Sequence, residues 1–358
     1  MSQSKQNLGF VKGSLDTLAL KRTTISAKDN SVQLIYGTGS CKSSIKKRPK
    51  KKLITQMLAL ALIDVAKENN ETEWIKRYWN VWHCQNYLTT YNGRAYGHYC
   101  KNKCCAICVS IRKADMINRY KPTIEKWSDL HFLTLTVKSQ PNTNLKKWMK
   151  GMNNAMELIN DRCRQRYNRG KGPKLIGVRS LECNYNPIKK TYNPHFHVLC
   201  ATKEIAEILK AEWLELWNRN YVKSNNKKDI MALHFLQKIR KVRNTEKDII
   251  ETIKYGAKIF TDPEMKKGKS KANHIIYAKA LHSIYKSMDG LKLFVKFGFK
   301  LPKTESQSNT RLIIDYKEWK YEPKAANWVN MITGQVMTNY SPDWALEELL
   351  DKIDIQLN

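Results

Sequence analysis

Apolar and polar residues alternate along HFLTLTV (131–137), where Thr134 and Thr136 interrupt an otherwise apolar, β-branched run. A period of two predicts a strand, with the threonines on one face and Leu133 and Leu135 on the other. LIGVRSLECNY (175–185) and HFHVLCA (195–201) have the same β-rich character, and NPIKKTYNP between them reads as a turn. Together they predict two strands joined by a hairpin-like connection. Between and around the strands the period changes to that of a helix. LKKWMKGMNNAMELINDRCRQRY (145–167), KEIAEILKAEWLELWNRNY (203–221) and KDIIETIKYGAKIF (247–260) all carry it, and Pro263 and Gly268 punctuate the end of the last. The apolar spacing of 53–82 is helical as well, with Trp74, Tyr78, Trp79 and Trp82 packing a small core.

The fold class expected from this pattern is α+β: an antiparallel sheet flanked by helices, with FLTLT and the HFH strand adjacent. A small cysteine-rich segment precedes the sheet and a helical or mixed region follows it. The domain organisation expected is a flexible basic arm over 1–52, a helical and zinc-binding segment over 53–127, a catalytic domain over 128–262 and an accessory region over 263–358. The arm is polar and ends in KKRPKKK (46–52), a composition that buries too little apolar area to offset chain entropy. No internal repeat is present, and nothing in 263–358 matches a motif with a mechanism. The Lys-rich GKSKAN there is a candidate contact surface.

Charge narrows the function. The 358 residues carry 64 Lys and Arg against 32 Asp and Glu, a net +32. An excess of that size calls for an anionic partner, and nucleic acid is the commonest one. The longest apolar stretch, LITQMLALALIDV (53–65), contains Gln56 and Asp64 and is too short to span a bilayer, so no membrane partner is expected. No secretory signal is recognised, and nine cysteines, an odd number, fit a reducing compartment and a metal site better than a disulfide framework. The expected location is the cytoplasm.

Three groups of residues carry candidate chemistry. In PHFHV (194–198), His195 and His197 are two residues apart on a strand and therefore share a face. Glu182, on the preceding strand, is placed to supply a third ligand. Two imidazoles and one carboxylate leave open positions that suit Mn²⁺ or Mg²⁺ holding a phosphate oxygen. In ETIKYGAK (251–258), helical spacing aligns Glu251, Tyr255 and Lys258. Tyrosine titrates near 10, so a nucleophilic Tyr255 needs a cation beside it, supplied by Lys258 and the metal. The same spacing also fits an ordinary amphipathic helix in which Glu251 pairs with Lys254. Finally, Cys84, Cys100, Cys105 and Cys108 have the short-loop spacing of structural zinc, with Cys104 or His98 as alternatives for one ligand. Cys163, Cys183 and Cys200 read as core cysteines, and Trp213 and Trp217 as packing residues.

Taken together, FLTLT (132–136), PHFHV (194–198) and ETIKYGAK (251–258) resemble the three motifs of the HUH-type rolling-circle replication initiators of small bacterial plasmids. The resemblance runs from about Cys84 to about Ile259 and corresponds to the form with one tyrosine and a glutamate four residues before it. It implies that His195, His197 and Glu182 hold a divalent cation, that Tyr255 attacks the scissile phosphate of single-stranded origin DNA, and that Glu251 activates the second attack. It also implies a bacterial host, replication partners such as a helicase, and an action that begins with nicking and ends by hydrolysis. The cysteine segment resembles the one preceding the first motif in that family, although Ala106 stands where proline is usual. A transposase or relaxase of the same superfamily is the neighbouring reading. A non-catalytic, zinc-dependent DNA-binding regulator is the reading from another class.

Overall fold

The computed structural model of the protein describes residues 24–28, 31–35, 42–44, 48–91, 94–224, 226–252, 256–257, 271–302 and 317–342. In chain order the elements are β1 (Thr24–Lys28), β2 (Ser31–Ile35), β3 (Lys42–Ser44), α1 (Arg48–Glu68), α2 (Thr72–Trp82), β4 (Tyr87–Tyr91), β5 (Arg94–Gly97) and α3 (Ala106–Ile124). There follow β6 (His131–Thr136), α4 (Leu145–Asn168), β7 (Gly177–Asn186), β8 (Thr191–Cys200), α5 (Lys203–Trp217), α6 (Arg219–Ser224), β9 (Lys238–Lys241), α7 (Thr245–Thr252) and β10 (Gly256–Ala257). The last are α8 (Lys271–Ser287), β11 (Phe294–Phe297), β12 (Lys317–Glu322) and β13 (Asn327–Asn330). The class is α+β, with antiparallel sheets flanked by helices. Among the described residues no helix is long and apolar enough to cross a membrane.

The chain divides into two compact units. The first comprises Met1–Leu60, Lys76–Cys108 and Gln307–Asn358; the second comprises Ala61–Ile75 and Val109–Ser306. In the first unit β1, β2 and β3 form an antiparallel sheet, and β13, β12, β4 and β5 form another in that order. Leu88, Tyr321 and Trp328 make the core of the second sheet, with Trp319 and Met337 packed against it. The Trp328 indole donates to Gln85 O at 2.8 Å. Helix α1 begins at Arg48, inside the basic run 46–52, and Lys52 is completely buried.

The second unit is built on a six-stranded sheet of order β10-β7-β8-β6-β9, with β11 also pairing β7. β7 and β8 form the expected hairpin, and β8 lies against β6, so HFLTLT and the HFH strand are neighbours. The outer edge of β7 is covered in two parts: β11 takes Gly177–Ser180 antiparallel, and β10 takes Glu182 and Cys183 parallel. Gly298, just after β11, has φ of +78° and a Cβ there would sit 1.8 Å from Leu175 O, so this close return requires glycine.

Alternation gives the sheet two different faces. Leu133, Leu135, Phe196 and Val198 point to one side and are buried. There α5 brings Trp213 edge-on to Phe196, with ring centroids 5.8 Å apart, and its indole donates to Thr136 O at 3.0 Å. From the same side α4 presents Asn153, whose Oδ1 accepts from the buried Arg179; the guanidinium of Arg179 lies 4.6 Å over the Phe196 ring. Cys163, Cys183, Cys200 and Trp213 are all buried, as the sequence suggests. Phe196→Ala empties the centre of this layer and is expected to cost about 3 to 5 kcal/mol. A urea titration followed by tryptophan fluorescence should show the midpoint fall accordingly, and an unchanged midpoint would remove Phe196 from the core.

Two predicted helices are shorter than their periodicity. The helix expected over 203–221 breaks at Asn218, whose side chain binds the backbone of Met231 and Ala232 instead. The helix expected over 247–260 is followed only to Thr252, and Gly256 and Ala257 are strand, paired with β7. Glycine is a poor helix former, and the free backbone groups along β7 offer an alternative partner.

Candidate metal centres

Register assembles the first centre. Glu182 of β7 is opposite His195 of β8, which is opposite Thr136 of β6; one step along, Ser180, His197 and Thr134 form the next row. Residues in facing rows share a side of the sheet, so both imidazoles and the carboxylate meet on the face away from α4 and α5. The two Nε2 atoms lie 3.9 Å (His195) and 3.7 Å (His197) from Glu182 Oε2. Those separations are too long for hydrogen bonds. They are short enough for one cation, at about 2.1 Å from each donor, to bridge.

The ring of His195 is oriented by its backbone. Nδ1 lies 3.0 Å from Asn193 O, an arrangement that makes Nδ1 the protonated nitrogen and leaves the Nε2 lone pair toward Glu182. Burial pulls the His195 pKa below its usual value, opposed by the Asn193 carbonyl and by the charge of Glu251. His197 packs its ring against Phe132 at 5.1 Å.

Helix α7 packs over this face. The guanidinium of Arg240 lies 4.4 Å over the Phe132 ring and forms a two-pronged ion pair with Asp248 of α7, Nη1 to Oδ2 at 2.9 Å and Nη2 to Oδ1. Glu251, one turn further along α7, is close enough to act electrostatically on both His195 and Arg240. Gly256 then pairs with Glu182 itself. Tyr255 and Lys258 lie outside the described residues. Glu182, His195, His197 and Glu251 are thus gathered on one side of one sheet.

The second centre lies in the first unit. Cys84 precedes the β4–β5 hairpin, Cys100 follows it, and Cys105 and Cys108 stand at the start of α3. All four sulfurs lie within 4.8 Å of one another. Cys84 and Cys100 are each close to Cys108, at 3.6 and 3.7 Å. Tetrahedral zinc with Zn–S bonds of about 2.3 Å has edges of about 3.8 Å, so the donor set fits that ion. Backbone amides already serve the sulfurs: Cys100 N donates to Cys84 Sγ at 3.5 Å and Cys108 N to Cys105 Sγ at 3.4 Å. Burial opposes ionisation of Cys105, yet donation from Cys100, Cys108 and Cys84 outweighs it and holds that thiol well below its usual pKa. The two alternatives for a ligand are engaged elsewhere. His98 meets Asn80 Oδ1 through Nε2, and Cys104 donates to Asn102 Oδ1.

Sequence reasoning missed Lys52. Its ammonium donates to Trp82 O and Cys84 O, both at 2.7 Å, and to Asn86 Oδ1 at 2.6 Å. Burial lowers its pKa to about 8, against the raising influence of the four cysteines. A lysine inside KKRPKKK gives no signal of this in the sequence, because a run of like charges reads as a solvated segment.

The chain has relatives of known type. The family model described as Replication protein matches residues 94–310, which include the whole histidine and glutamate centre and three of the four clustered cysteines. A protein named Protein rep from Staphylococcus aureus is 32% identical over 176 residues, covering 44% of this chain and 69% of the relative. Another Protein rep, from Streptococcus pneumoniae serotype 2, is 26% identical over 223 residues, covering 57% of this chain and 66% of the relative. A third, from Bacillus amyloliquefaciens, is 31% identical over 131 residues, 34% of this chain and 37% of that one. The chain thus spans about two thirds of the first two relatives and little more than a third of the other. No solved structure matches it. With the model covering well over half of its residues and both ligand clusters falling largely inside the match, the chain belongs to the Replication protein family.

Proposed function

We propose that this protein initiates rolling-circle replication of a bacterial plasmid as an HUH-type endonuclease that nicks one DNA strand and becomes linked to it. The observation that carries the reading is the convergence of Glu182, His195 and His197 on one sheet face, with Glu251 of α7 acting on His195. Those three residues would hold Mn²⁺ or Mg²⁺, which would supply charge neutralisation at the scissile phosphate. Zinc in the four-cysteine centre is structural.

The chain's own residues perform the steps. Tyr255, as its phenolate, attacks phosphorus: a bond forms between its phenolic oxygen and the 5′-phosphate, the bond to the 3′-oxygen breaks, and that oxygen takes up a proton, balancing the one lost by the phenol, and leaves as a 3′-hydroxyl. No nucleotide is consumed, and the freed 3′-hydroxyl primes synthesis by host proteins, a helicase among them. Lys258 favours the phenolate. At the end of the round Glu251 accepts a proton from water, whose oxygen attacks the phosphotyrosine and releases the enzyme. The location that follows is the bacterial cytoplasm.

The direct test is incubation of the whole protein with Mn²⁺ and single-stranded DNA carrying the candidate origin, resolved on a denaturing gel. The wild type is expected to give a covalent adduct. Replacing both His195 and His197 by alanine should abolish it without removing zinc, and undiminished cleavage by that variant would sink the reading. Glu251→Ala is expected to form adduct at close to the wild-type rate and to release it by hydrolysis roughly 100-fold more slowly. Normal turnover in a pulse-chase measurement would take the general-base role from Glu251. A protein that binds origin DNA tightly yet never forms an adduct is a DNA-binding regulator.

A further inference from the structure

The segment leading into β9 is built to hold apolar side chains in water. Leu233, Phe235 and Leu236 are exposed, Phe235 to 70%. Such exposure usually belongs to a loose loop, but this one is fastened at both ends. Asn218 Oδ1 accepts from Met231 N and Ala232 N, and its amide donates to Ala232 O at 2.7 Å. At the other end the buried Gln237 grips β6: its Oε1 accepts from Thr136 N at 2.8 Å, and its Nε2 donates to Thr136 O and to Leu233 O. The amide of Gln237 therefore replaces a strand partner for Thr136, in the same row as His195.

Among the described strands β9 is the edge of the sheet, and its sequence KIRK continues into exposed Arg243 and Lys247. Lys238 lies across Thr134 from His197, in one row on the metal face. Two strand spacings separate them, about 10 Å. Beyond β9 a cavity of about 430 Å³ is lined by Arg240, Lys241, Arg243, Asn244, Lys247 and Asp248. Asp248 is taken by Arg240, and Lys241 is within electrostatic reach of Asp129, so Arg243 and Lys247 are the surplus cations among the described residues. Lysines alone would be explained as protection of an edge strand against aggregation. Protection does not explain a clamped, exposed phenylalanine beside them, since an exposed apolar group invites association.

We infer that β9 and its flanking turns form the track that holds the unpaired DNA strand entering the metal centre. Phe235 stacks on a base, and Lys238, Lys241, Arg243 and Lys247 hold phosphates. An aromatic platform combined with a basic groove is the arrangement that suits unpaired nucleic acid, because every base has a stacking face and every nucleotide a charge. The inference rests on the proposed function for the identity of the strand, and the test is chosen to separate the two.

The experiment is anisotropy titration of the full chain with a mixed-sequence single-stranded oligonucleotide and with its duplex. Phe235→Ala is expected to weaken binding to the single strand roughly 10-fold and to leave duplex binding unchanged, while Phe235→Trp retains affinity and shows quenched fluorescence. An oligonucleotide series with one abasic position at a time should reveal a position to which the wild type is sensitive and Phe235→Ala is not. Replacing Lys241 and Lys247 together by alanine should reduce the salt dependence of binding. Equal single-strand affinity for wild type and Phe235→Ala would overturn the inference. So would a concentration-dependent self-association lost in Phe235→Ala while DNA binding stays intact, since the occupant would then be a second copy. Failure of adduct formation with these stacking signatures intact would count against the nicking chemistry alone.

Discussion

Tyr255→Phe is expected to eliminate covalent attachment to DNA while leaving binding nearly unchanged. The substitution removes one oxygen atom and keeps the ring, so a loss cannot be assigned to altered bulk. Removing the proposed nucleophile leaves only what positioning and charge contribute, and the expected fall in attachment rate is roughly 10⁴-fold or more. A denaturing gel of protein with labelled origin strand reads the adduct, and anisotropy reads the binding. Adduct formation by the phenylalanine variant at anything near the wild-type rate would show that another residue attacks. Parallel loss of binding and attachment would instead indicate a role in recognition.

Cys105→Ser is expected to release zinc and unfold the first unit's hairpin and the start of α3. Cys105 is the thiol held most strongly toward thiolate, and Cys108 N donates to it. Zinc centres of this kind contribute about 10 kcal/mol or more to small domains, comparable with the whole stability of a domain. A serine oxygen at the same place is a poor substitute for a thiolate. Mass spectrometry under native conditions should find stoichiometric zinc in the wild type and none in the variant, and limited proteolysis should cut near the hairpin. Full zinc content and an unaltered cleavage pattern in the variant would exclude Cys105 from the centre.

Much of the metal face was legible because β-structure has a short period. His195 and His197 had to share a side once the segment was a strand, and the hairpin brought Glu182 opposite His195. The four cysteines were legible from spacing, but the choice among Cys84, Cys100, Cys104, Cys105, Cys108 and His98 was not. In the fold Cys84, Cys100, Cys105 and Cys108 lie together, while Asn102 and Asn80 engage Cys104 and His98. That Gly256 and Ala257 are strand was hidden because Glu251, Tyr255 and Lys258 fit helical spacing equally well in sequence. What opposes it is a long-range pairing of Gly256 with β7, and no local pattern reports such a partner. The return of β12 to β4, joining positions more than two hundred residues apart, was unreadable for the same reason. The clamps at Asn218 and Gln237 were likewise invisible, because an asparagine at a helix end and a glutamine before a strand look like ordinary solvated residues.

That return of β12 sets an order of events during synthesis. The ribosome delivers Cys84 to Cys108 early, then the whole of Val109–Ser306, and only afterwards the strands that complete the sheet beside the cysteines. The second unit can therefore close before the first has its last strands. Until they arrive, the hairpin β4–β5 shows an unpaired strand edge to its surroundings. Metal capture by the cysteines would add to the Lys52 contacts with Cys84 and Asn86 in holding that hairpin in the interval. A nascent chain short of zinc would expose this edge for the time needed to translate the second unit, so metal starvation should appear first as aggregation of newly made protein, with molecules already folded left untouched.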